Sequence, residues 1–485
     1  MDPACAAGWR RSGGAYRGGQ RHAHADLVRY AHAQRGRAGA HPPTPDQPHA
    51  MPTPRTETDT YTIQAGDQLG RIAERFGISL QELIDSNGIT NPDHVEPGQT
   101  LTVPVPAQRD PGPDFKIIPD SELVAGPASA GFELTAFIQG AGGYLASYQG
   151  EIDEKPYTGA QIVARVSSEF SVNPRLLLAV LEFQSGWVYS ASPDSSTLTY
   201  PMGQVNPNRE GLYKQLTWTA DALNYGYYMW KVSGVSSWML SDGSVLPIAP
   251  SINAGTAGVQ HLLALLNDEA GFRSAVSPTG LYATYQKMFG YPFDYTIEPL
   301  APAGIQQPAL QLPFETGVPW YLTGGPHGGW GDGSAWAAID FAPPGEELGC
   351  FSSDVWEVAS ADGLVITSED GRVVQDLDGD GFAQTGWTIL YMHVENRDRV
   401  AAGTYLKAGE RIGHPSCEGG VSNGTHLHLA RRYNGEWISA DGPLPINLDG
   451  WVSSGNGIQY DGYMTRNEHT LEAWEGRFPE NEIQR

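Results

Sequence analysis

Four short stretches towards the C-terminal end carry the side chains with the most chemistry in them. They are Gly325-Pro326-His327, Ile339-Asp340-Phe341, Leu390-Tyr391-Met392-His393 and Thr425-His426-Leu427-His428. The run from Gly424 to Ala430 alternates apolar and polar residues, which predicts a half-buried strand with His426 and His428 on one face. Thr388 to His393 predicts a second strand, in which Ile389, Tyr391 and His393 share a face. Three imidazoles and the Asp340 carboxylate are then able to line one groove. Neutral imidazole is a good ligand for zinc, and three protein ligands plus water leave an open catalytic position.

The chain that must position these groups has 485 residues, more than one hydrophobic core accommodates, so two to four domains are expected. No apolar run approaches the eighteen or so residues of a membrane helix, so no membrane span is expected. The net charge of −25 is unevenly spread: residues 1–55 hold eight Arg and three Asp, and the rest is strongly acidic. An acidic body excludes nucleic acid as a natural partner, since phosphate binding needs a basic surface.

Further pieces join the four stretches: Ile339-Asp-Phe-Ala-Pro-Pro344, Val358 to Val365, Leu406-Lys-Ala-Gly-Glu-Arg-Ile-Gly413 and Gly424-Thr-His-Leu-His-Leu429. Together, from about Val318 to Ile438, they resemble the lysostaphin/LytM-type zinc metallopeptidases, which are marked by a His…Asp pair, a Tyr-x-His strand and a terminal His-x-His. The resemblance implies a mainly antiparallel β domain over 313–455 with zinc as cofactor. It implies His327, Asp340 and His428 as metal ligands, and His393 and His426 as the catalytic pair acting on water and transition state. Twelve residues separate His327 from Asp340 where the family commonly has a short gap, and the filler Gly328 to Ser334 predicts a flexible loop. His414 matches no ligand position and reads as structural. Cys350 and Cys417 fall inside the same segment and are either a disulfide or two buried thiols; the extracellular character implied for the chain favours the disulfide.

Residues 60–104 predict strand, helix, helix, strand: Tyr61 to Ile63, a helix through Leu69, Ile72, Ala73 and Phe76 stopped by Gly77, a second through Leu80, Leu83 and Ile84, then Leu101 to Val103. This β-α-α-β unit resembles a LysM module, here given the bounds 59–106. The resemblance implies binding of N-acetylglucosamine-containing glycan by two loops, Gly66, Asp67, Gln68 and Leu69 on one side and Ile89, Thr90, Asn91, Pro92 and Asp93 on the other.

Residues 107–128 carry several Pro, Asp and Gly and are expected to be a linker. The region 129–300 is expected to be helical. Its phrase Val172-Asn-Pro-Arg-Leu-Leu-Leu-Ala-Val-Leu-Glu-Phe-Gln-Ser-Gly186 is weakly similar to the opening of lysozyme-like lytic transglycosylases. In that family a catalytic acid precedes the Ser-Gly, whereas here Gln184 stands there, and an amide cannot protonate a glycosidic oxygen. Glu182 is about 200° around the helix and points elsewhere. A lysozyme-like domain without glycosidase chemistry is therefore expected. Asp376-Leu-Asp-Gly-Asp-Gly381 mimics the start of a calcium loop, but its twelfth position is Trp387, so an acidic turn is expected.

Residues 1–58, with His22, His24, His32, His41, His49 and Cys5, are expected to be a disordered tail, and 456–485 a polar extension. No secretory signal is recognisable in them. The expectation as a whole is a multidomain α+β protein with a LysM module, a helical lysozyme-like domain and a metallopeptidase domain. It implies a monomeric, secreted or cell-envelope zinc endopeptidase that cleaves the peptide cross-links of peptidoglycan. The alternative is a non-catalytic peptidoglycan-binding or regulatory protein.

Overall fold

In the computed structural model, Met51 and residues 55–485 apart from 65, 66 and 93 are described. The expectations for the N-terminal tail up to residue 50, and for Gly66 and Asp93, lie outside the described residues. Alternating residues form the antiparallel pair β1 (Asp59–Thr62) and β2 (Thr100–Val103), with α1 (Leu69–Phe76) and α2 (Leu80–Asn87) between them. Gly77 closes α1 in the left-handed region, at φ 67°, where glycine sits without a Cβ penalty. A capping box opens α2. Ser79 Oγ accepts from the Glu82 N–H at 3.1 Å, and the Glu82 carboxylate accepts from the Ser79 N–H at 2.7 Å.

The next layer contains the hairpin β3 (Gln149–Ile152) and β4 (Lys155–Thr158), followed by α3 (Gly159–Phe170), α4 (Pro174–Ser185), α5 (Leu212–Lys231) and α6 (Ala254–Leu266). α4 begins as its sequence dictates: Asn173 caps the Arg175 N–H, Pro174 occupies the first turn, and Gly186 ends it at φ 68°. α5 and α6 pack together through Gly226 and Gly258, where a Cβ would lie 2.6 Å or less from the facing helix. The expected linker needs correcting. Ile117, Ile118, Leu123 and Val124 are wholly buried in this helical core, and Thr256 Oγ1 accepts from the Ile117 N–H at 2.8 Å. The Pro, Asp and Gly residues around them masked the apolar positions. α1 docks on this layer as well: Arg71 lies 4.3 Å from the centre of the Tyr225 ring, and buried Glu74 lies 3.6 Å from His261 Nε2.

The last layer is a nine-stranded sheet in which every pairing is antiparallel. Its strands are β5 (Trp320–His327), β6 (Ala338–Ala342), β7 (Gly363–Glu369), β8 (Arg372–Asp376), β9 (Trp387–Met392), β10 (Tyr405–Leu406), β11 (Leu427–Tyr433), β12 (Glu436–Trp437) and β13 (Glu482–Ile483). The spatial order is β10-β7-β8-β9-β11-β6-β5-β13, with β12 paired to β11.

Period two divides the sheet into two cores. Ile339, Phe341, Ile389, Tyr391, Leu427 and Leu429 face the C-terminal side. Ala338, Leu390, Met392, Ala430 and Trp437 join the core of the helical layer. The expected polar extension is corrected here too, because β13 edges the sheet and Gly462–Arg466 and His469–Glu472 pair in a second, four-stranded sheet. Its polar composition comes from short, half-exposed strands rather than a lack of structure. Among the described residues, no helix is long and apolar enough to cross a membrane.

Candidate functional site

The site lies on the sheet face covered by the helical layer. β6 and β11 pair so that Asp340 stands directly opposite His428, and β9 places Met392 opposite His428 on the other side. Directly opposed residues share a face, so these three point towards the helices. β5 reaches them through two register shifts, between Leu322 and Gly324 and between Gly324 and His327, which bring His327 in beside Asp340. Gly324 makes room for the carboxylate, since a Cβ there would lie 2.7 Å from Asp340 Oδ2.

His393 corrects one sequence expectation. Ile389 and Tyr391 face the other core, and strand alternation would send His393 with them. Instead β9 ends at Met392, and His393 adopts φ 69°, a left-handed conformation that turns its ring back to the site. It ends 4.4 Å from the His426 ring and 6.2 Å from that of His428, centre to centre. The glycine-rich connection after His327 is likewise no free loop. Gly333 N–H donates to Asp221 Oδ1 of α5 at 2.8 Å, and Trp330 meets Phe170 edge-on at 6.4 Å. A Cβ on Gly333 would lie 2.0 Å from the Asp221 carbonyl oxygen, so glycine here serves close packing.

His327 Nε2, Asp340 Oδ1 and His428 Nδ1 form a triangle with sides of 3.0, 3.2 and 3.3 Å. The outer nitrogens fix what these atoms offer. His327 Nδ1 lies 2.8 Å from the Gly325 carbonyl, and His428 Nε2 lies 3.2 Å from that of Gly329. Each must carry its proton there, which leaves lone pairs on the two nitrogens that face inwards. Asp340 Oδ1 is buried and accepts no hydrogen bond. Three electron-pair donors therefore converge on one buried point, an arrangement that a cation would stabilise. A proton is the least such cation. Burial alone would lower the His327 pKa, but the adjacent carboxylate raises it; burial alone would raise that of Asp340, but the His327 and His426 imidazoles hold it well below the usual range.

The other two histidines are built alike. His393 Nδ1 lies 3.1 Å from the Glu418 carbonyl and His426 Nδ1 2.7 Å from that of Gly424, so each leaves Nε2 free to take a proton. His426 Nε2 lies 3.8 Å from Asp340 Oδ1. Burial and the neighbouring imidazoles push His393 down to about 3, which keeps it neutral. His414 stands apart, with Nδ1 2.8 Å from the Val355 carbonyl.

All five groups open into one cleft of about 1160 Å³. Its walls include Tyr213 and Trp218 of α5, and Leu348 and Val421 on two loops joined by the Cys350–Cys417 disulfide, whose Cα atoms are 5.7 Å apart. Tyr460 stacks on His327 with ring centres 4.2 Å apart and planes 21° from parallel. It lies in the stretch 456–485, whose polar composition gives no sign of a site residue. Of the described residues predicted to bind glycan, none lines this cleft. Gln68, Thr90, Asn91 and Pro92 are exposed, Asp67 and Ile89 half-buried, and Leu69 belongs to the small core of the first unit. Asp376, Asp378 and Asp380 bring their carboxylates within 4.8 Å of one another in the turn between β8 and β9. Glu182 is occupied by the Val188 and Tyr189 N–H groups at 3.0 and 3.1 Å.

Residues 61–104 match the LysM domain family, and residues 116–301 match the family described as LasA, N-terminal domain. The latter match falls on the region expected to be lysozyme-like, for which nothing gives support. The chain is 41% identical over 70 residues to the Secreted LysM effector ECP6 of Passalora fulva, covering 13% of this chain and 31% of that protein. Among solved structures, the M23 metalloprotease pseudoalterin is similar at 23% identity and a TM-score of 0.30, over 37% of this chain and 99% of that one. Protease LasA of Pseudomonas aeruginosa strain UCBPP-PA14 is 30% identical over 308 residues, which span 58% of this chain and 69% of LasA. On that extent of likeness, the chain belongs to the family of protease LasA and carries a LysM domain ahead of it.

Proposed function

We propose that the chain is a zinc-dependent endopeptidase that cuts peptide cross-links of bacterial peptidoglycan, and that its LysM module holds it on the wall glycan. The observation that carries the metal is the triangle of inward-facing lone pairs on His327, Asp340 and His428. Ligand atoms about 2.0–2.2 Å from a common tetrahedral centre lie roughly 3.3–3.6 Å apart, close to the 3.0–3.3 Å seen. Two imidazoles and a carboxylate are a donor set that suits zinc and leaves a position open. Zinc there would supply Lewis acidity towards a carbonyl and lower the pKa of a water towards neutrality.

The chain's own residues do the rest. The Gly325 and Gly329 carbonyls hold the two ligand imidazoles in the required tautomer. His393 and His426, each with Nδ1–H anchored on a carbonyl, present Nε2 to take a proton from water and to return one to the leaving amine. The disulfide supports a location outside the reducing cytoplasm. Digestion of purified peptidoglycan by the zinc-loaded chain is expected to release new free amines, without new reducing sugars. New reducing ends alone would overturn the reading.

The LysM assignment leads to a separate expectation. Gln68 and Thr90 lie exposed on the two loops that would flank glycan. The full chain should cosediment with insoluble peptidoglycan, and the Gln68→Ala, Thr90→Ala double variant should bind roughly tenfold more weakly, as the loss of one or two hydrogen bonds allows. Equal sedimentation of both would remove these loops from the glycan site.

A further inference from the structure

We propose that Asp370, gripped by Lys155 and Arg165 of the helical layer, is a positioning residue that fixes the catalytic imidazole of His393. The inference rests on the reading of His393 as a proton carrier in the proposed peptidase, and it adds a control point outside the cleft.

The contacts form an unbroken path. Asp370 and Gly371, both at positive φ (44° and 74°), make the tight turn between β7 and β8. Lys155 Nζ reaches Asp370 Oδ1 and Arg165 Nη1 reaches Asp370 Oδ2, each at 2.8 Å. Arg165 is itself clamped: its Nε donates to Glu169 Oε1 at 2.8 Å and its Nη1 to the Tyr157 hydroxyl at 3.0 Å. The turn thus meets the clamped, mostly buried guanidinium of Arg165 together with the exposed ammonium of Lys155.

Beneath the turn lies the backbone that holds His393. A Cβ on Gly371 would stand 2.2 Å from the Glu418 carbonyl oxygen, and one on Gly419 would stand 2.3 Å from the Asp370 carbonyl oxygen. The two backbones touch so closely that neither accepts a side chain. That same Glu418 carbonyl takes the His393 Nδ1–H, and the Gly371 carbonyl takes the Val394 N–H at 3.0 Å. The turn therefore braces His393 through its ring partner and through the residue after it. His393 is held at a left-handed φ, a conformation that persists only where its surroundings enforce it. The far side of the Glu418 loop has its own ties, through the disulfide at Cys417 and through Asn396 and Arg399, so the turn supplies the brace on the near side.

The test uses the full chain with Asp370→Asn and, separately, Arg165→Gln. Asn tolerates the left-handed turn, so Asp370→Asn removes the charged grip while keeping the hairpin. In zinc-loaded protein both variants are expected to lower kcat about five- to tenfold, with KM within twofold and bound zinc unchanged. A second readout is independent of activity. In protein labelled with ¹⁵N-histidine, the His393 Nδ1–H resonance, identified by its absence in His393→Gln, should exchange with solvent at least tenfold faster in both variants. Wild-type exchange rates in both would overturn the proposal, as would a kcat loss that tracks loss of zinc. Failure of the wild-type chain to cleave any wall peptide would count against the peptidase reading, and the exchange measurement would still decide the role of Asp370.

Discussion

His428→Ala is expected to leave a folded protein that no longer retains zinc and has no measurable turnover. His428 contributes one corner of the donor triangle and touches both of the others, 3.0 Å from His327 Nε2 and 3.2 Å from Asp340 Oδ1. Even residues that only orient ligands typically cost 10–100-fold in metal affinity when removed, so the loss of a ligand itself should exceed about a hundredfold. His426→Ala should behave differently. Its ring stands further out, 3.8 Å from Asp340 Oδ1, and its assigned task is proton transfer. Zinc content should stay near one per chain while kcat falls about 10²–10⁴-fold. Metal analysis after dialysis, paired with turnover on peptidoglycan, separates the two variants. Zinc lost from the His426 variant and kept by the His428 variant would exchange their roles. Full activity in both would place the site elsewhere.

Acid should mimic the first of these variants. The proton and the metal compete for the same lone pair, because the carboxylate that raises the His327 pKa is the group that would share the metal. Zinc retention should therefore fall as pH drops through the imidazole range and recover when pH is raised.

What was legible in the sequence followed from local rules. Period two gave β11 and the shared orientation of His426 and His428, and an αL glycine after an amphipathic run gave the end of α1 at Gly77. What was not legible depended on contacts between elements distant in the chain. The ring of His393 faces the site only because a left-handed residue interrupts β9, and that conformation is imposed by the Glu418 loop and the turn above it. Gly328 to Ser334 looked flexible because glycine in isolation is flexible. In the fold the same glycines let the loop press against Asp221 and Trp437, where any Cβ would collide. Tyr460 carries no local signal of its own: it sits in a turn between two strands, and only the fold returns it to stack on His327. The lysozyme-like resemblance of the middle region finds no support for a related reason. An Asn-Pro-Arg helix opening ending in Ser-Gly is common property of well-capped helices, and capping explains α4 without any lysozyme ancestry.

The residue in that opening whose loss should matter most for stability is Arg175. It is buried, and its guanidinium forms a two-point pair with Glu122, which has no exposed surface and also accepts from the Tyr285 hydroxyl. Arg175 further donates to the Ala128 carbonyl at 3.1 Å and lies 4.2 Å from the centre of the Tyr295 ring. The pair ties the segment once expected to be a linker to the centre of the helical core. Glu122→Ala would leave the guanidinium buried without its counter-charge, which costs about 3–5 kcal/mol. Spread over a unit of this size, that corresponds to a fall in Tm on the order of 10 °C. Removing all three polar partners together should be far milder, because no charge is then stranded: Glu122→Leu with Arg175→Met and Tyr285→Phe is expected to recover most of the loss. Thermal unfolding followed by circular dichroism distinguishes the cases. A Glu122→Ala protein that melts within 2 °C or so of the wild type would mean that the pair is solvated by local opening, and that the 116–128 segment is held by its apolar residues alone.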